Sequence, residues 1–509
     1  MPALRVMIPR RVGAALLTLA AFVPLAAQTP RAANVAVSRP SATSTPANAR
    51  LAARIDSILA RPQLSRAQWG IEVRDASTGQ TLYARNASRR FIPASNLKLI
   101  ISATAAHHLD PDYRFRTSVY AAGTVRDGTL EGDLVLYGRG DPMISARYFP
   151  SRTAVWEMLA DSLLARGIRR VTGGVVADES WMDREYVRDD WEAYDRRWWY
   201  AAPVGALGMN DNSIDFRIEP GRSAGSPARI TGSPASSAWT LVNASRTVAR
   251  GRPHTFDLER GGEPGVVRAY GNLPLGTGAD TESFAVDNPA RFTGIVFREV
   301  LERKGIAVDR NTVRVVSDPS ASTVANAAPL VEWRSPPLPQ AIGPVLMNSQ
   351  NWFAELLVKT VGREVRGEGS WGAGLAVERE FLTRVVGIDS ADFVLRDGSG
   401  LSAGNQVTPR ALVRLLDYVR RTPRQAVVRR ALPLSGAEDG SLRSRLTDLR
   451  GRVAAKTGYI GGADSLAGFV TLPDGREIIF CIIANGGGQP SARMKAGIDD
   501  VVRAIAAAS

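Results

Sequence analysis

The chain has 509 residues, 44% hydrophobic and 22% charged, a globular balance that excludes a wholly disordered or fibrous protein and allows two or three domains. One cysteine excludes an intrachain disulfide and a cysteine-built zinc or iron–sulfur cage, and three histidines leave little for a histidine metal site. The formal charge of +14 favours acidic partners, yet the basic residues are scattered arginines with no run of five or six, so a solvated surface is expected and no nucleic-acid face.

In chain order, Arg5, Arg10 and Arg11 precede an apolar run from Val12 to Ala27 that ends in small residues. This reads as a signal peptide over 1–27, too short for a spanning helix, and predicts export to the periplasm or the outer face of the cell envelope, with at most peripheral membrane or wall association. Residues 28–48, rich in Pro, Ala, Ser and Thr, read as a flexible linker. Apolar residues recur at helical spacing from Leu51 to Leu59, and 69–85 reads as two strands joined at Ser77-Thr78-Gly79. A helix is predicted over 95–109 after Pro93, then a turn at Asp110-Pro111-Asp112. Strands follow near 113–125 and 129–137, around Arg126-Asp127-Gly128, and a helix over 151–167 closes at Gly167. Residues 181–200 mix Trp181, Trp191, Trp198 and Trp199 with charge. Such a segment either stacks on a ligand or is pinned by its own aromatics, and the second is expected. Short strands and turns fill 203–290. Helices are predicted at 292–305, 349–362 and 411–421, the last opened by Thr408-Pro409, then a hairpin over 467–486 turning at Pro473-Asp474-Gly475, and a closing helix at 494–508.

Only five of the 64 basic residues are lysines, so a lysine here is a candidate for chemistry that arginine cannot do, namely losing its proton. Ser95 and Lys98 lie three apart on one helical face, within reach of each other. Leu97, Leu99 and Ile100 form an apolar collar that lowers the amine's proton affinity and equips it as a base for the serine. Ser349-Gln350-Asn351 opens a helix with Glu355 behind it. The hydroxyl can relay a proton and the amide can grip a carbonyl, although a serine here is also a common N-cap. Lys456-Thr457-Gly458 follows a strand; the lysine and threonine suit a carboxylate and the glycine lets another backbone lie close, although a lysine also guards edge strands. Ser-x-x-Lys alone is a weak signal; the three elements in this order are a specific one.

Their contexts, FIPASNLKLI, VLMNSQNWFAELL, DGSGLS at 397–402, LPLSGAEDGSL at 432–442 and VAAKTGYIGGADSLAG at 453–468, closely resemble the D-alanyl-D-alanine carboxypeptidase/endopeptidase family, the class C low-molecular-mass penicillin-binding proteins of peptidase family S13. The resemblance runs from about residue 50 to the C-terminus. The second motif lies 254 residues beyond the first and the third only 107 beyond the second, a gap that this family fills with an inserted β-rich region.

The resemblance implies an α/β sandwich: a transpeptidase-like catalytic domain with an antiparallel sheet flanked by helices, from 49–113 and 289–509, and an inserted β-rich region at 114–288. It implies cleavage of D-Ala–D-Ala bonds of peptidoglycan stem peptides, with D-Ala–diaminopimelate cross-links as a second target, and β-lactams as covalent inhibitors. Ser95 becomes the acylated nucleophile, Lys98 its base, Ser349 and Asn351 the proton path and clamp. Lys456 and Thr457 hold the terminal carboxylate, and Gly458 precedes Tyr459, whose N–H joins that of Ser95 in an oxyanion hole. Gln350 stands where the common form has aspartate. Asp141 matches a position that can face a diaminopimelate amine, although Gly140-Asp141-Pro142 also simply makes a turn. No metal or organic cofactor is implied.

Two rivals remain open. A serine β-lactamase needs a deacylating base, and the class A pattern E-x-x-L-N is not found. A non-catalytic wall-binding or β-lactam-sensing protein is disfavoured by intact Ser95 and Lys98. His107-His108 with Asp110 and Asp112 are expected to suit a helix C-terminus rather than a metal, there is no G-x-S-x-G elbow, and Cys481 is expected to be buried and inert.

Overall fold

The computed structural model describes residues 46–324 and 327–508. The expected signal peptide lies outside these residues, as does the linker apart from Pro46, Ala47 and Asn48. Those three open the helix Pro46–Leu59, which therefore begins before the expected end of the linker.

The hairpin at the chain's end forms from Ala463–Thr471 and Glu477–Asn485, turning at Gly475 with a φ of 85°. It sits inside a five-stranded antiparallel sheet in the order Thr81–Arg85, Gln68–Asp75, Glu477–Asn485, Ala463–Thr471, Val453–Ile460. The strand Glu477–Asn485 is an almost unbroken apolar run because both faces of the sheet are covered. Ile478, Phe480 and Ile482 share a core with the helices Pro46–Leu59 and Ser491–Ala506. Ile479, Cys481 and Ile483 point the other way, into a larger core with the helices Lys98–His108, Asn351–Arg366 and Pro409–Arg421. The last of these starts as its sequence predicts, with the Thr408 side chain accepting from the Ala411 N–H and Pro409 in the first turn. The antiparallel sheet between helix layers is the expected fold class.

The inserted region is built on the hairpin Arg116–Arg126 and Thr129–Gly138, which turns through Asp127 (φ 45°) and Gly128 (φ 77°), two left-handed residues that match the twist of the strands. Val331–Arg334 adds antiparallel to one edge, and Val175–Asp178, itself joined by Val313–Val316, adds parallel to the other. The strands between 213 and 285 make smaller sheets of two or three strands.

The expected boundary at 289 needs correction. The helix Pro289–Arg303 buries Val296, Phe297, Val300 and Leu301 in the core of the inserted sheet, beside Leu134, Val175 and Trp156. Strands as late as 331–334 still pair there, and the chain rejoins the catalytic layer with the helix Leu338–Met347. Helical spacing reveals an apolar face but not which of two cores receives it.

Candidate active site

Ala94, left-handed with a φ of 48°, opens a 3-10 turn, Ala94–Leu97, that runs directly into the helix Lys98–His108. Ser95 stays half-buried at this junction while Lys98 is wholly buried. Lys98 Nζ lies 2.8 Å from Ser95 Oγ, 2.7 Å from Asn351 Oδ1 and 2.7 Å from the Ser399 carbonyl, so all three of its hydrogen-bonding directions are occupied. Burial pushes its pKa down to about 7, against the opposing charges of Glu355 and Asp397. An amine that titrates there, in contact with a hydroxyl, can take up the hydroxyl proton.

Ser349 is not the N-cap of the following helix. It precedes Gln350, which takes the cap position without a side-chain cap, and has a φ of 62°. Its Oγ instead accepts from Lys456 Nζ at 2.9 Å, while Lys456 also donates to the Thr457 carbonyl at 2.7 Å. Lys456 is fully buried on the edge strand Val453–Ile460, so it does not serve as an exposed edge guard. Burial, and then the charge of Lys98, holds its ammonium well below the usual lysine range. Thr457 Oγ1 donates to Ser441 Oγ at 2.8 Å.

The glycine of the third motif has a steric reason. A Cβ on Gly458 would stand 2.2 Å from Ser465 Oγ, 2.8 Å from the Pro93 carbonyl and 3.0 Å from the Ser95 nitrogen. The strand thus lies directly against the Ser95 turn, and Ser465 Oγ, on the neighbouring strand Ala463–Thr471 opposite Gly458, anchors the sheet to that turn by donating to the Pro93 carbonyl at 2.7 Å. Tyr459 is exposed, with the Lys495 ammonium 4.7 Å from its ring centre. The three motifs therefore converge on one cluster of two serine hydroxyls, two lysine amines, an asparagine amide and a threonine.

Asp141 joins none of these groups. It is 4% exposed, and its carboxylate accepts from the Met143 N–H and Trp333 Nε1, both at 2.9 Å, as a turn-forming aspartate does; burial raises its pKa to about 6. Of the aromatic segment, Trp181, Trp191 and Trp198 are buried, and Trp191 Nε1 donates to Asp397, so the segment is pinned by its aromatics. His107 Nδ1 meets the Tyr418 hydroxyl at 3.2 Å in the last helical turn. Cys481 is buried, and burial raises its thiol pKa well above the usual range. Among the described residues no group of three or more His, Cys, Asp or Glu side chains is placed to hold a metal ion, and no helix is long and apolar enough to cross a membrane.

Several supporting groups are not legible as such in the sequence. Glu355 accepts from the Gly398 and Ser399 N–H groups and from Trp371 Nε1, fixing the segment that leads into the Ser399 carbonyl, which accepts from Lys98. Asp397 accepts from the Gly400 and Ser402 N–H groups and from Asn405, and burial raises both acids, as it does the neighbouring Glu378. Asn351 Nδ2 donates to the Tyr200 carbonyl in the insert at 2.7 Å, a contact no side-chain pattern announces because every residue has a carbonyl.

The profile of the D-Ala-D-Ala carboxypeptidase 3 (S13) family matches residues 51–507. The chain is 35% identical over 454 residues to a D-alanyl-D-alanine carboxypeptidase of Actinomadura sp. (strain R39), covering 86% of this chain and 81% of that one. It is 24% identical over 429 residues to D-alanyl-D-alanine carboxypeptidase DacB of Haemophilus influenzae, covering 82% and 85%. The crystal structure of penicillin binding protein 4 (dacB) from Haemophilus influenzae has the same fold, with a TM-score of 0.78 at 21% identity over 89% of this chain and 99% of that one. A second structure of it, complexed with a novel β-lactam, gives a TM-score of 0.72 at 21% identity over 89% and 98%. With a family match across nearly all of its described residues, this chain belongs to the D-Ala-D-Ala carboxypeptidase 3 (S13) family and is a serine-type D-Ala-D-Ala peptidase, a hydrolase.

Proposed function

We propose that the protein is an exported DD-peptidase that works through an acyl-enzyme on Ser95. The observation that carries this reading is the contact of a buried lysine, Lys98, with Ser95 Oγ at 2.8 Å and with Asn351 Oδ1 at 2.7 Å. Neutral Lys98 takes the Ser95 proton as Oγ attacks the carbonyl carbon of the penultimate D-Ala. The oxyanion that forms is held by the N–H groups of Ser95 and Tyr459, the two backbones brought together at Gly458. The C–N bond then breaks, the leaving amine takes its proton through Lys98 and Ser349, and D-alanine departs. Water hydrolyses the remaining ester with Lys98 again as base. Lys456 and Thr457 receive the substrate carboxylate. Cleavage of D-Ala–diaminopimelate cross-links is the same chemistry with a larger leaving amine.

β-Lactams acylate the same serine and leave slowly. A relative described with a β-lactam bound shares the fold, which supports this reading. The apolar run Val12–Ala27 supports export and a periplasmic site of action.

The test is intact mass of the purified mature protein after benzylpenicillin, together with D-Ala release from a stem peptide ending in D-Ala–D-Ala. A persistent single adduct on the Ser95 peptide and D-Ala release by the wild type but not by Ser95→Ala are expected. A fleeting adduct with drug hydrolysis would instead mark a β-lactamase, and no adduct or release a non-catalytic binder. The mature N-terminus after secretion, expected near residue 28, tests export.

A further inference from the structure

The middle residue of the second motif does not enter the cluster. Gln350 is 1% exposed, and its Nε2 donates to Asp211 Oδ2 at 2.9 Å, across 139 residues and from the inserted region. The same oxygen accepts from Arg147 Nε at 3.1 Å and Nη2 at 2.7 Å. Asp211 is the centre of three consecutive left-handed residues, Asn210 (φ 49°), Asp211 (φ 53°) and Asn212 (φ 48°), a conformation that non-glycine residues keep only where surroundings impose it. The bonds that impose it are present. Asn212 Oδ1 accepts from the Met209 N–H at 3.2 Å and its Nδ2 donates to the Pro203 carbonyl at 2.8 Å; Asn210 Nδ2 donates to the Ser213 carbonyl at 2.9 Å.

The same insert segment grips the next two residues of the helix. Asn351 Nδ2 donates to the Tyr200 carbonyl at 2.7 Å and Trp352 Nε1 to the Pro203 carbonyl at 3.1 Å. Residues 350, 351 and 352 are thus each held from segment 200–212, immediately beside Ser349, whose own backbone is left-handed. Packing alone does not call for a polar link here. Gln350 Oε1 and Asp211 Oδ1 are buried with no partner among the described residues, a cost an apolar pair of the same shape would avoid.

We propose that Asp211 is a positioning residue for the peptidase reaction: through Gln350 it holds the backbone of Ser349, and with it the 2.9 Å contact between Ser349 Oγ and Lys456 Nζ. The insert then completes the catalytic cluster instead of only standing beside it. The inference rests on the reading of Ser349 as a working member of that cluster.

The test compares Asp211→Ala, Gln350→Met and their double variant, with Ser349→Ala as reference. Active sites are first counted by stoichiometric β-lactam adduct, so that misfolded protein drops out; turnover of a D-Ala–D-Ala peptide is then expressed per titrated site. Displacing a reacting group by a fraction of an ångström to an ångström costs on the order of 10- to 100-fold. Asp211→Ala and Gln350→Met are each expected to lose at least about 10-fold in kcat with KM within about twofold, and the double variant to be no more than about threefold worse than the worse single, as residues acting in series require. Gln350→Met leaves the Arg147–Asp211 pair intact and decides the matter if Asp211→Ala does not fold. Per-site turnover within twofold of wild type in Gln350→Met overturns the proposal, as do multiplicative losses. If Ser349→Ala itself keeps wild-type turnover, the reading of the cluster fails and the proposal with it; if only Ser349→Ala is impaired, the proposal alone fails.

Discussion

Lys456 Nζ donates to Ser349 Oγ at 2.9 Å, and this one contact joins two motifs that are 107 residues apart in the chain. It makes Ser349 the bridge between the lysine of the third motif and the Lys98 cluster, where Asn351, two residues on, accepts from Lys98.

Ser349→Ala breaks that bridge. Proton transfer through a positioned side chain contributes about 10²–10⁴-fold, so D-Ala release per active site is expected to fall by about 10²-fold or more. Lys456→Met should lose a comparable factor and also raise KM, because the proposed function assigns its amine to the substrate carboxylate. A loss in Ser349→Ala confined to KM would remove the serine from the proton path and leave it a binding role.

Lys98 is expected to set the pH dependence of acylation. Its ammonium is disfavoured by burial, with a pKa of about 7, below its ordinary 10.5, so the neutral base appears as pH rises through about 7. Acylation by a β-lactam under single-turnover conditions should therefore rise with pH along a limb centred near 7, and Lys98→Met should flatten it and slow acylation by about 10²–10⁴-fold. The same shift acts on folding: the folded chain binds fewer protons than the unfolded one between about pH 7 and 10.5, so this group contributes stability that grows with pH across that window. A limb that survives Lys98→Met would assign the titration to another group.

Glu355 opposes the burial of Lys98, because its negative charge favours the ammonium. Glu355→Gln removes that charge and leaves burial less opposed, so the acid limb of the acylation profile should move to lower pH. Asp397 raises the Lys98 pKa in the same sense and Lys456 lies beside Lys98, and the substitution leaves both side chains in place. Glu355→Gln also leaves one amide where a carboxylate served three donors, and unsatisfied buried polar groups cost about 1–3 kcal/mol, so a lower melting temperature accompanies the shift. A limb that moves upward contradicts the electrostatic account.

Gly458→Ala introduces a Cβ where the Pro93 carbonyl and the Ser95 nitrogen are already 2.8 Å and 3.0 Å away. Backbone cannot move aside as a flexible side chain can, so the strand and the Ser95 turn must separate, at roughly 1–3 kcal/mol for overpacking. The expected result is a lower melting temperature together with at least about a 10-fold loss of acylation rate per site, since the separation widens the oxyanion site. Wild-type acylation in Gly458→Ala would mean that this backbone pair does not hold the oxyanion.

The chemistry-bearing side chains were the legible part. Serine and lysine three apart share a helical face whatever the rest of the fold, and positions 98 and 456 are two of only five lysines among 64 basic residues. Elements with strong local signals also formed where expected: the helix opened by Thr408-Pro409, the hairpin around Pro473-Asp474-Gly475, and the two strands on either side of Ser77-Thr78-Gly79. Local pattern misled where two uses share one signature. Ser349 looks like an N-cap and is left-handed ahead of one, and the helix Pro289–Arg303 has the periodicity of any amphipathic helix while serving the inserted core.

What the sequence by itself determined is the three motifs and the family in which they occur, because side-chain chemistry and short-range spacing are local properties. Only the tertiary structure decided how they are held. The Lys98 pKa falls to about 7 because folding buries the amine, against the opposing charges of Glu355 and Asp397, and the Ser399 carbonyl reaches it from 301 residues away. Ser349 meets Lys456 because a sheet edge and a helix start are packed together, and Gln350 finds Asp211 because the insert folds back on that start. Desolvation and long-range hydrogen bonds depend on which surfaces meet, and that is a property of the whole fold.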